Sequence, residues 1–187
     1  MNHLAALTLT LLLLLFAETP TARPAPKTDY RADLTALRAW RSRTVTVSYA
    51  PERGRPDPEP QVRAAIAAWN AKVGGSVMLV PVKTGGKAHI SFVKPGSLPG
   101  GAIGRTQVTY RNSDQTLLDA AVEIDDSLSD ELSAQVIAHE LGHALGIEGH
   151  SDEDGDLMFE RAHLPLAITD RDAATIRRDY PPRLARQ

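Results

Sequence analysis

Short runs in which apolar and polar residues alternate recur along the chain, and each such run predicts a half-buried strand. The clearest is Arg43–Tyr49, in which Val45 and Val47 share one face. The other predicted strands are Val77–Val82, Ala88–Val93, Ile103–Tyr110 and Leu118–Asp125. Segments rich in glycine and proline, such as 51–60 and 94–104, separate several of these strands. The alternation therefore predicts five strands.

A wider spacing of apolar residues predicts three helices. The first is Gln61–Val73, in which Trp69 is expected to anchor the core. The second begins at a cap from Ser127 or Ser129 and runs to about Leu145. The third is capped by Thr169, and its range and buried positions are Asp170–Tyr180 with Ala173, Ile176 and Tyr180.

Composition limits the classes of protein that fit. A chain of 187 residues is long enough for one domain, or for one domain and a leader, and 42% hydrophobic residues suffice for a core. The net charge of −2 gives no reason to expect a nucleic acid or an anionic membrane as partner. The sequence has no cysteine, which excludes disulfides, a thiol nucleophile and cysteine metal ligands.

The first segment has the features of a secretory leader. Leu4–Phe16 is an apolar run of the length expected for a signal peptide, and it is too short for a spanning helix of ~20 residues. We expect residues 1–22 to be a signal peptide, cleaved after Ala17 or Ala22, with an uncleaved membrane anchor as the alternative. Residues 23–42 are then a linker or short pro-segment, and residues 43–187 form the main domain of a secreted or periplasmic protein.

Three of the 6 histidines fall within a short stretch that ends the second helix. His139 and His143 have the i, i+4 spacing that places two side chains on one helix face, where both can bind one zinc ion. Glu140 can lean over the metal without being a ligand. This is the HExxH arrangement of zinc peptidases, in which the glutamate is the general base. Apolar residues on the opposite side of the helix indicate that its back is buried.

A third ligand is expected just beyond the helix. Gly146 is placed to adopt a left-handed conformation after the helix end, so the chain can turn and bring back His150. Glu148 and Asp152 are the other possible donors. Zinc held by three protein ligands keeps one open position for chemistry. His139, His143 and His150 are therefore the predicted zinc ligands, and Glu140 is the predicted catalytic residue.

The run from His139 to His150 resembles the metzincin signature, and within metzincins it is most similar to that of the matrixins. The usual spacing puts the third histidine at 149, where this chain has Gly149, so one residue is inserted. The resemblance implies an α+β, zincin-like catalytic domain with a twisted, mostly parallel sheet of four or five strands and three helices. It also implies an active-site cleft between a larger N-terminal and a small C-terminal subdomain.

Other features follow from the same resemblance. Met158 is expected to lie beneath the zinc histidines, and Ile103–Tyr110 is expected to be the edge strand beside the cleft. Residues 159–168 are expected to form the wall of the specificity pocket, with His163 exposed. Matrixins bind a structural zinc and calcium in the loop corresponding to 94–104, but here that loop has no His or Asp, so those sites are expected to be absent. A cysteine-based latency mechanism is excluded as well.

Two further polar features are interpreted as structural. His89 lies far in sequence from the other histidines, and a role in a strand is favoured over metal binding. Ser151–Asp156 is an acidic loop that could hold calcium, although its spacing is not that of an EF-hand, and a hydrated turn is favoured.

Three hypotheses for function remain open. The first is a secreted, monomeric zinc endopeptidase with one catalytic zinc ion, whose partner is a protein or peptide substrate and neither nucleic acid nor, after signal removal, a membrane. The second is a catalytically inactive zinc-binding module that docks a peptide along the edge strand. The third is a structural protein in which the histidine pair is incidental.

Overall fold

The computed structural model describes residues 29–30, 36–50, 57–162, 164–165 and 167–180. The expected signal peptide, most of the expected linker and the prediction for His163 lie outside the described residues. Within the described ranges, no helix has the length and apolar character needed to cross a membrane.

The predicted α+β class is confirmed, with a mixed sheet of five strands and three helices. The strands of the sheet are β2 (Thr44–Tyr49), β3 (Met78–Val82), β4 (Ala88–Val93), β5 (Gly104–Arg111) and β6 (Thr116–Asp125). Their order is β3-β2-β4-β6-β5. All neighbouring pairs are parallel except β5 and β6, which are antiparallel. The predicted strand at Ile103–Tyr110 is therefore an edge strand, as expected.

A separate two-stranded ribbon was not predicted. Ala36–Leu37 (β1) pairs antiparallel with Ile147–Glu148 (β7). Because each strand has only two residues, neither is long enough to show the alternation by which strands are recognised in a sequence. The ribbon matters for the site because β7 lies between the second helix and His150.

The three helices are α1 (Glu59–Val73), α2 (Asp130–Ala144) and α3 (Asp170–Asp179). Helix α1 starts earlier than predicted. Pro60 is tolerated in its first turn because the N–H that proline lacks would have no partner within the helix there. Of the two candidate caps for α2, Ser129 is the one used, and it accepts a hydrogen bond from the N–H of Leu132. Thr169 caps α3 in a reciprocal pair with Asp172, which confirms the predicted start of that helix.

The core lies between the sheet and the helices. Helix α2 packs on α1 and covers β5 and β6. The predicted anchor Trp69 is fully buried on α1, and its indole N–H donates to the carbonyl of Ala138 at 2.7 Å. Val45 and Val47 are also fully buried, as their alternation predicted. Truncating a buried tryptophan typically costs ~3–5 kcal/mol, so Trp69 is a principal link between α1 and α2.

Residues before position 43 are also part of the folded unit. Trp40 is buried, its backbone N–H donates to the hydroxyl of Tyr180 at 3.0 Å, and its indole donates to the carbonyl of Ala144 at 2.8 Å. The Tyr180 hydroxyl in turn donates to the carbonyl of Leu145 at 2.9 Å. Trp40 therefore ties the N-terminal segment to the end of α2 and to the residue that follows α3.

Candidate metal centre and active site

The C-terminal half of α2 carries three of the candidate residues. His139 and Glu140 are 8% and 6% exposed, although both side chains are polar. They are held inside because the neighbouring residues Ile137, Ala138 and Leu141 are fully buried against the core. The predicted apolar back of this helix is thus confirmed, and on its other side Glu140 faces the edge strand β5.

The chain turns at Gly146, as predicted. Its φ is +121°, a region that residues with a Cβ rarely adopt. A Cβ at this position would also lie 1.7 Å from the carbonyl oxygen of Arg38. Gly149, the residue that interrupts the usual spacing, has a φ of +111° as well. Two glycines therefore allow the chain to leave α2, pair as β7 and present His150.

The three predicted histidine ligands converge. Their ring centroids are 4.9 Å apart for His139 and His143, 5.3 Å for His139 and His150, and 5.2 Å for His143 and His150. One nitrogen from each ring lies within 4.8 Å of the others. These three side chains could hold a metal ion. The other two candidate donors are engaged elsewhere, since Glu148 pairs with Arg38 and Asp152 pairs with Arg171.

Backbone carbonyls determine which nitrogen of each buried ring carries the proton. The Nδ1 of His139 lies 2.8 Å from the carbonyl oxygen of Leu157, and the Nδ1 of His143 lies 2.7 Å from that of Ile147. A carbonyl oxygen only accepts, so each Nδ1 must carry hydrogen and donate. In the neutral ring the other nitrogen, Nε2, is then an acceptor with a free lone pair.

The two Nε2 atoms face each other at 3.2 Å. Since both are acceptors in the neutral rings, they cannot form a hydrogen bond with one another. A shared cation resolves this arrangement, because two nitrogens bound to one tetrahedral zinc ion at ~2.05 Å lie about 3.3 Å apart. The donor set and its spacing therefore fit a metal ion held by imidazole nitrogens.

The environment keeps these rings neutral. Burial lowers the pKa of His139 to about 4 and that of His143 to about 3, with the neighbouring His139 ring adding to the effect on His143. Burial lowers the pKa of His150 as well. Only the unprotonated imidazole binds a metal ion, so all three rings are in the ligating form at neutral pH.

Glu140 is held between α2 and the edge strand β5. Its Oε2 accepts a hydrogen bond from the Thr106 hydroxyl at 2.7 Å. Burial raises the pKa of Glu140 to about 7, and the bond from Thr106 partly opposes this shift. A Cβ at Gly104 would lie 2.5 Å from Oε1, so the glycine makes room for the carboxylate. A carboxyl group with a pKa near neutrality is suited to accept and return a proton.

Thr106 was not identified from the sequence. Its position in an alternating strand indicated which face it occupies but not which side chain lies opposite. Glu140 is 34 residues away in the sequence, and only the packing of α2 on β5 brings the two together.

The turn at Leu157 and Met158, which follows the acidic loop after His150, contacts the helix that carries His139 and His143. Met158 is fully buried, and a Cβ at Gly142 of α2 would lie 2.3 Å from its sulfur atom. Leu157 supplies the carbonyl that accepts from His139. The backbone N–H groups of both residues donate to Asp172 of α3, at 2.9 Å and 3.2 Å. The predicted methionine thus lies directly against the helix that carries the histidines.

Two cavities flank Glu140. One, of about 350 Å³, is lined by Thr106, Glu140, His143 and His150 among others. The second, of about 570 Å³, is lined by His139, Glu140, His150 and residues of the loop before β5 and of the segment after Met158. The candidate metal ligands and the buried carboxyl therefore lie where two hollows meet.

The remaining polar features behave as structural elements. His89 is exposed on β4, and its Nδ1 lies 3.0 Å from the hydroxyl of Ser48, away from the three converging rings. In the acidic loop Asp156 is buried, accepts from the hydroxyls of Ser151 and Thr169, and pairs with Arg171. The arginine partly balances the charge of that loop.

No protein-family model and no curated protein shows significant similarity to this chain.

Proposed function

We propose that the chain is a zinc-dependent endopeptidase in which His139, His143 and His150 hold one zinc ion and Glu140 is the general base. The observation that carries the proposal is the pair of Nε2 lone pairs facing each other at 3.2 Å, with a third imidazole and a buried carboxyl beside them. Two neutral imidazoles whose acceptor nitrogens face each other cannot form a hydrogen bond with one another. The arrangement is therefore unfavourable in a core without a metal ion and favourable around one.

Zinc is the metal we propose because of the donor set. Three imidazoles and an open position are the arrangement of catalytic zinc sites, whereas calcium and magnesium prefer sets of oxygen ligands. No carboxylate belongs to the converging group in the described part of the chain. Imidazole also binds copper, nickel and iron, so metal analysis of the purified protein is part of the test.

The proposed chemistry is peptide hydrolysis. When bound, a zinc ion polarises a carbonyl and lowers the pKa of water at its open position to about 7. Glu140 accepts the proton of the attacking water at its carboxylate and returns it to the leaving amine. The Thr106 hydroxyl, 2.7 Å from Oε2, orients the carboxylate for this transfer. No side-chain nucleophile is needed.

The edge strand supports a peptide as the substrate class. β5 is the last strand of the sheet, and no strand of the described residues pairs with its outer edge, so an extended chain could pair there. A peptide added there would run past Glu140, which contacts β5 through Thr106. Its backbone would be held by the strand and its side chains would reach the two cavities.

We also propose that the architecture is a metzincin catalytic domain, similar to matrixins, with a cleft between a larger N-terminal and a small C-terminal subdomain. The order of elements, the antiparallel edge strand, the glycine turn after α2 and Met158 against Gly142 support this reading. Gly149 absorbs the extra residue through its positive φ. Secretion by the leader at residues 1–22 and a monomeric state remain part of the proposal.

The test replaces Glu140 by Gln and by Ala and measures hydrolysis of a denatured protein and of a peptide library. We expect losses of about 10²–10⁴-fold in kcat with zinc retained at one ion per chain, since a positioned general base contributes that much. Glu131→Gln, which removes an exposed acid from the first turn of the same helix, is the matched control and should retain activity.

The other hypotheses predict different results. Stoichiometric zinc without turnover of any peptide would favour a docking module. Loss of all metal on dialysis would favour a structural protein. Unchanged hydrolysis by both Glu140 variants would refute the role of that residue.

A further inference from the structure

The short strand β7 affects two of the three converging histidines. His143 lies in the last turn of α2, and its Nδ1 donates to the carbonyl of Ile147 on β7 at 2.7 Å. His150 comes two residues after the end of β7, so the place of its ring depends on where β7 lies. Whatever holds β7 in position therefore also holds these two rings.

The backbone of the N-terminal segment is one support of β7. Strand β1 pairs antiparallel with β7, and the N–H of the next residue, Arg38, donates to the carbonyl of Gly146 at 3.5 Å. The Arg38 carbonyl approaches Gly146 so closely that no Cβ would fit there. A two-stranded ribbon is only marginally stable in water by itself, so β7 needs contacts beyond this pairing.

The Arg38 side chain supplies such contacts. Its guanidinium forms an ion pair with Glu148 of β7, and its Nε donates to the side-chain oxygen of Gln115, between β5 and β6, at 3.3 Å. The guanidinium also lies over the ring of Tyr110 on β5, 3.6 Å from the ring centroid. Because the Arg38 side chain is only 9% exposed, its ion pair is screened less by salt than a surface pair would be.

Arginine suits this position because its planar group can pair with a carboxylate while its face lies on an aromatic ring. Lysine offers a point charge without that plane. Since Glu148 lies on β7 and Tyr110 lies on β5, one rigid group spans the ribbon and the edge strand. The same edge strand carries Thr106, whose hydroxyl donates to Glu140. The Arg38 side chain thus links the segment before His150 to the strand that contacts the buried carboxyl.

We infer that Arg38 is a positioning residue for the metal centre, which acts by holding β7 against the edge strand β5. Through β7 it fixes His150 and the carbonyl that accepts from His143. The inference rests on the proposed metal site and adds a residue that neither binds the ion nor transfers a proton. It also extends the working domain toward the N-terminus, since a chain that began at the predicted domain start, residue 43, would lack Arg38.

The first test compares zinc affinity in the full chain, measured by competition with a fluorescent chelator. Arg38→Met keeps a long side chain without the charge and should bind zinc about 10–100-fold more weakly, the usual effect of losing a partner that orients metal ligands. Arg38→Lys restores a cation for Glu148 but not the stacked plane, so it should recover part of the affinity. Arg41→Met is the matched control, because Arg41 pairs with Asp114 but is 74% exposed, and its zinc affinity should equal that of the wild type.

A second measurement separates positioning from general stabilisation. Cobalt(II) in place of zinc gives visible absorption bands that depend on the number and geometry of the ligands. These bands should be weaker and shifted in folded Arg38→Met and unchanged in Arg41→Met. If Arg38 only stabilised the fold, Arg38→Met would lower the free energy of unfolding of the metal-free protein and leave the zinc affinity and the cobalt bands of the folded protein as in the wild type.

Glu148→Gln tests the same link from its other end and serves if Arg38→Met does not fold. The Glu148 side chain is 42% exposed, so this is a mild change. It should also weaken zinc binding, and the double variant should lose less than the product of the two separate fold-changes, because both remove one interaction. Losses that multiply in full would show that Glu148 acts on the metal without Arg38, and would overturn the inference.

The outcomes distinguish this inference from the proposed function. A wild type that binds no zinc overturns the metal site and the proposed function with it. A wild type that binds one zinc ion, together with Arg38→Met or Glu148→Gln variants that match Arg41→Met in zinc affinity and cobalt bands, overturns the positioning role alone and leaves the proposed function standing.

Discussion

Asp172→Asn is the substitution from which we expect the largest effect for the smallest change in shape. Asp172 is fully buried at the start of α3. Its Oδ2 accepts from the backbone N–H groups of Leu157 and Thr169, at 2.9 Å and 2.8 Å. Its Oδ1 accepts from the Tyr30 hydroxyl at 2.8 Å and from the N–H of Met158 at 3.2 Å.

The expected loss of free energy of unfolding depends on how the amide group introduced by Asp172→Asn is placed among these donors. The NH₂ group must replace one oxygen, and the Oδ1 position is the less costly, because the Tyr30 hydroxyl can reverse and accept. The N–H of Met158 is then buried without a partner, at ~1–3 kcal/mol. The two bonds at the other oxygen each lose roughly 1 kcal/mol of charge assistance. Relief from burying a charge offsets part of this, leaving a loss of roughly 2–4 kcal/mol.

Urea unfolding with saturating zinc measures the free energy of unfolding, and thermal unfolding gives an independent value. For a domain of this size each kcal/mol corresponds to ~2–4 °C, so we expect Tm to fall by about 4–16 °C. The zinc affinity should fall too, by about 10–100-fold, because the turn that Asp172 holds supplies the Leu157 carbonyl bound to His139. Competition with a fluorescent chelator measures that affinity.

The control is Asp170→Asn, two positions earlier on α3. The Asp170 side chain is 93% exposed and pairs with Lys72, so its loss should leave the free energy of unfolding almost unchanged. Tyr30→Phe should be intermediate, at ~1 kcal/mol, because it removes a single donor. If the Asp172 and Asp170 variants unfold at the same urea concentration and bind zinc equally, the hydrogen bonds to Asp172 do not hold the site together.

The other predictions concern the metal and the packing beneath it. Chelation should lower Tm, and zinc should restore it, because an ion held by three rings that converge only in the folded chain stabilises that chain. In the metal-free protein, His139 and His143 bind protons more weakly when folded than when unfolded, since burial lowers their pKa values to about 4 and about 3 from about 6.5. Glu140 acts in the opposite direction, since its pKa is raised from 4.5 to about 7. Between pH 4.5 and 6.5 the unfolded state therefore binds about one more proton, and the free energy of unfolding should fall by about 1.4 kcal/mol per unit as pH drops. Glu140→Gln should double that slope, whereas a flat profile from urea titrations would contradict the burial of these groups. Gly142→Ala should destabilise by ~1–3 kcal/mol despite the better helix propensity of alanine, because the new Cβ would lie 2.3 Å from the sulfur of Met158, and Gly142→Ala combined with Met158→Ala should lose less than the sum of the two single changes.

Much of the fold could be predicted because its elements carry strong periodic patterns. The alternation around Val45 and Val47 and the helical spacing around Trp69 each describe a face that must be buried, whatever lies against it. Capping residues placed the start of α3 correctly at Thr169. The start of α1 was placed two residues late, because proline at a helix start also reads as part of the preceding turn. The ribbon of β1 and β7 could not be predicted, since backbone pairing of two-residue strands leaves no pattern in the side chains.

The local chemistry of the site was determined by the sequence alone. The i, i+4 spacing on a buried helix put two imidazoles on one face, and a glycine beyond the helix end permitted the turn toward His150. These are short-range properties, set by helix geometry and by the conformational freedom of a residue without a Cβ. They were sufficient to name the three rings and the carboxyl.

Only the tertiary structure decided what surrounds those four side chains. The tautomers of His139 and His143 depend on carbonyls of Leu157 and Ile147, and the orientation of Glu140 depends on Thr106. Arg38 lines the same site and pairs there with Glu148, which lies 110 residues later in the sequence. Contacts of this kind depend on which strands pair and on how α2 lies across them. The pairing of the strands and the position of α2 are set by the packing of the whole core. The sequence around each of these residues therefore does not indicate its partner.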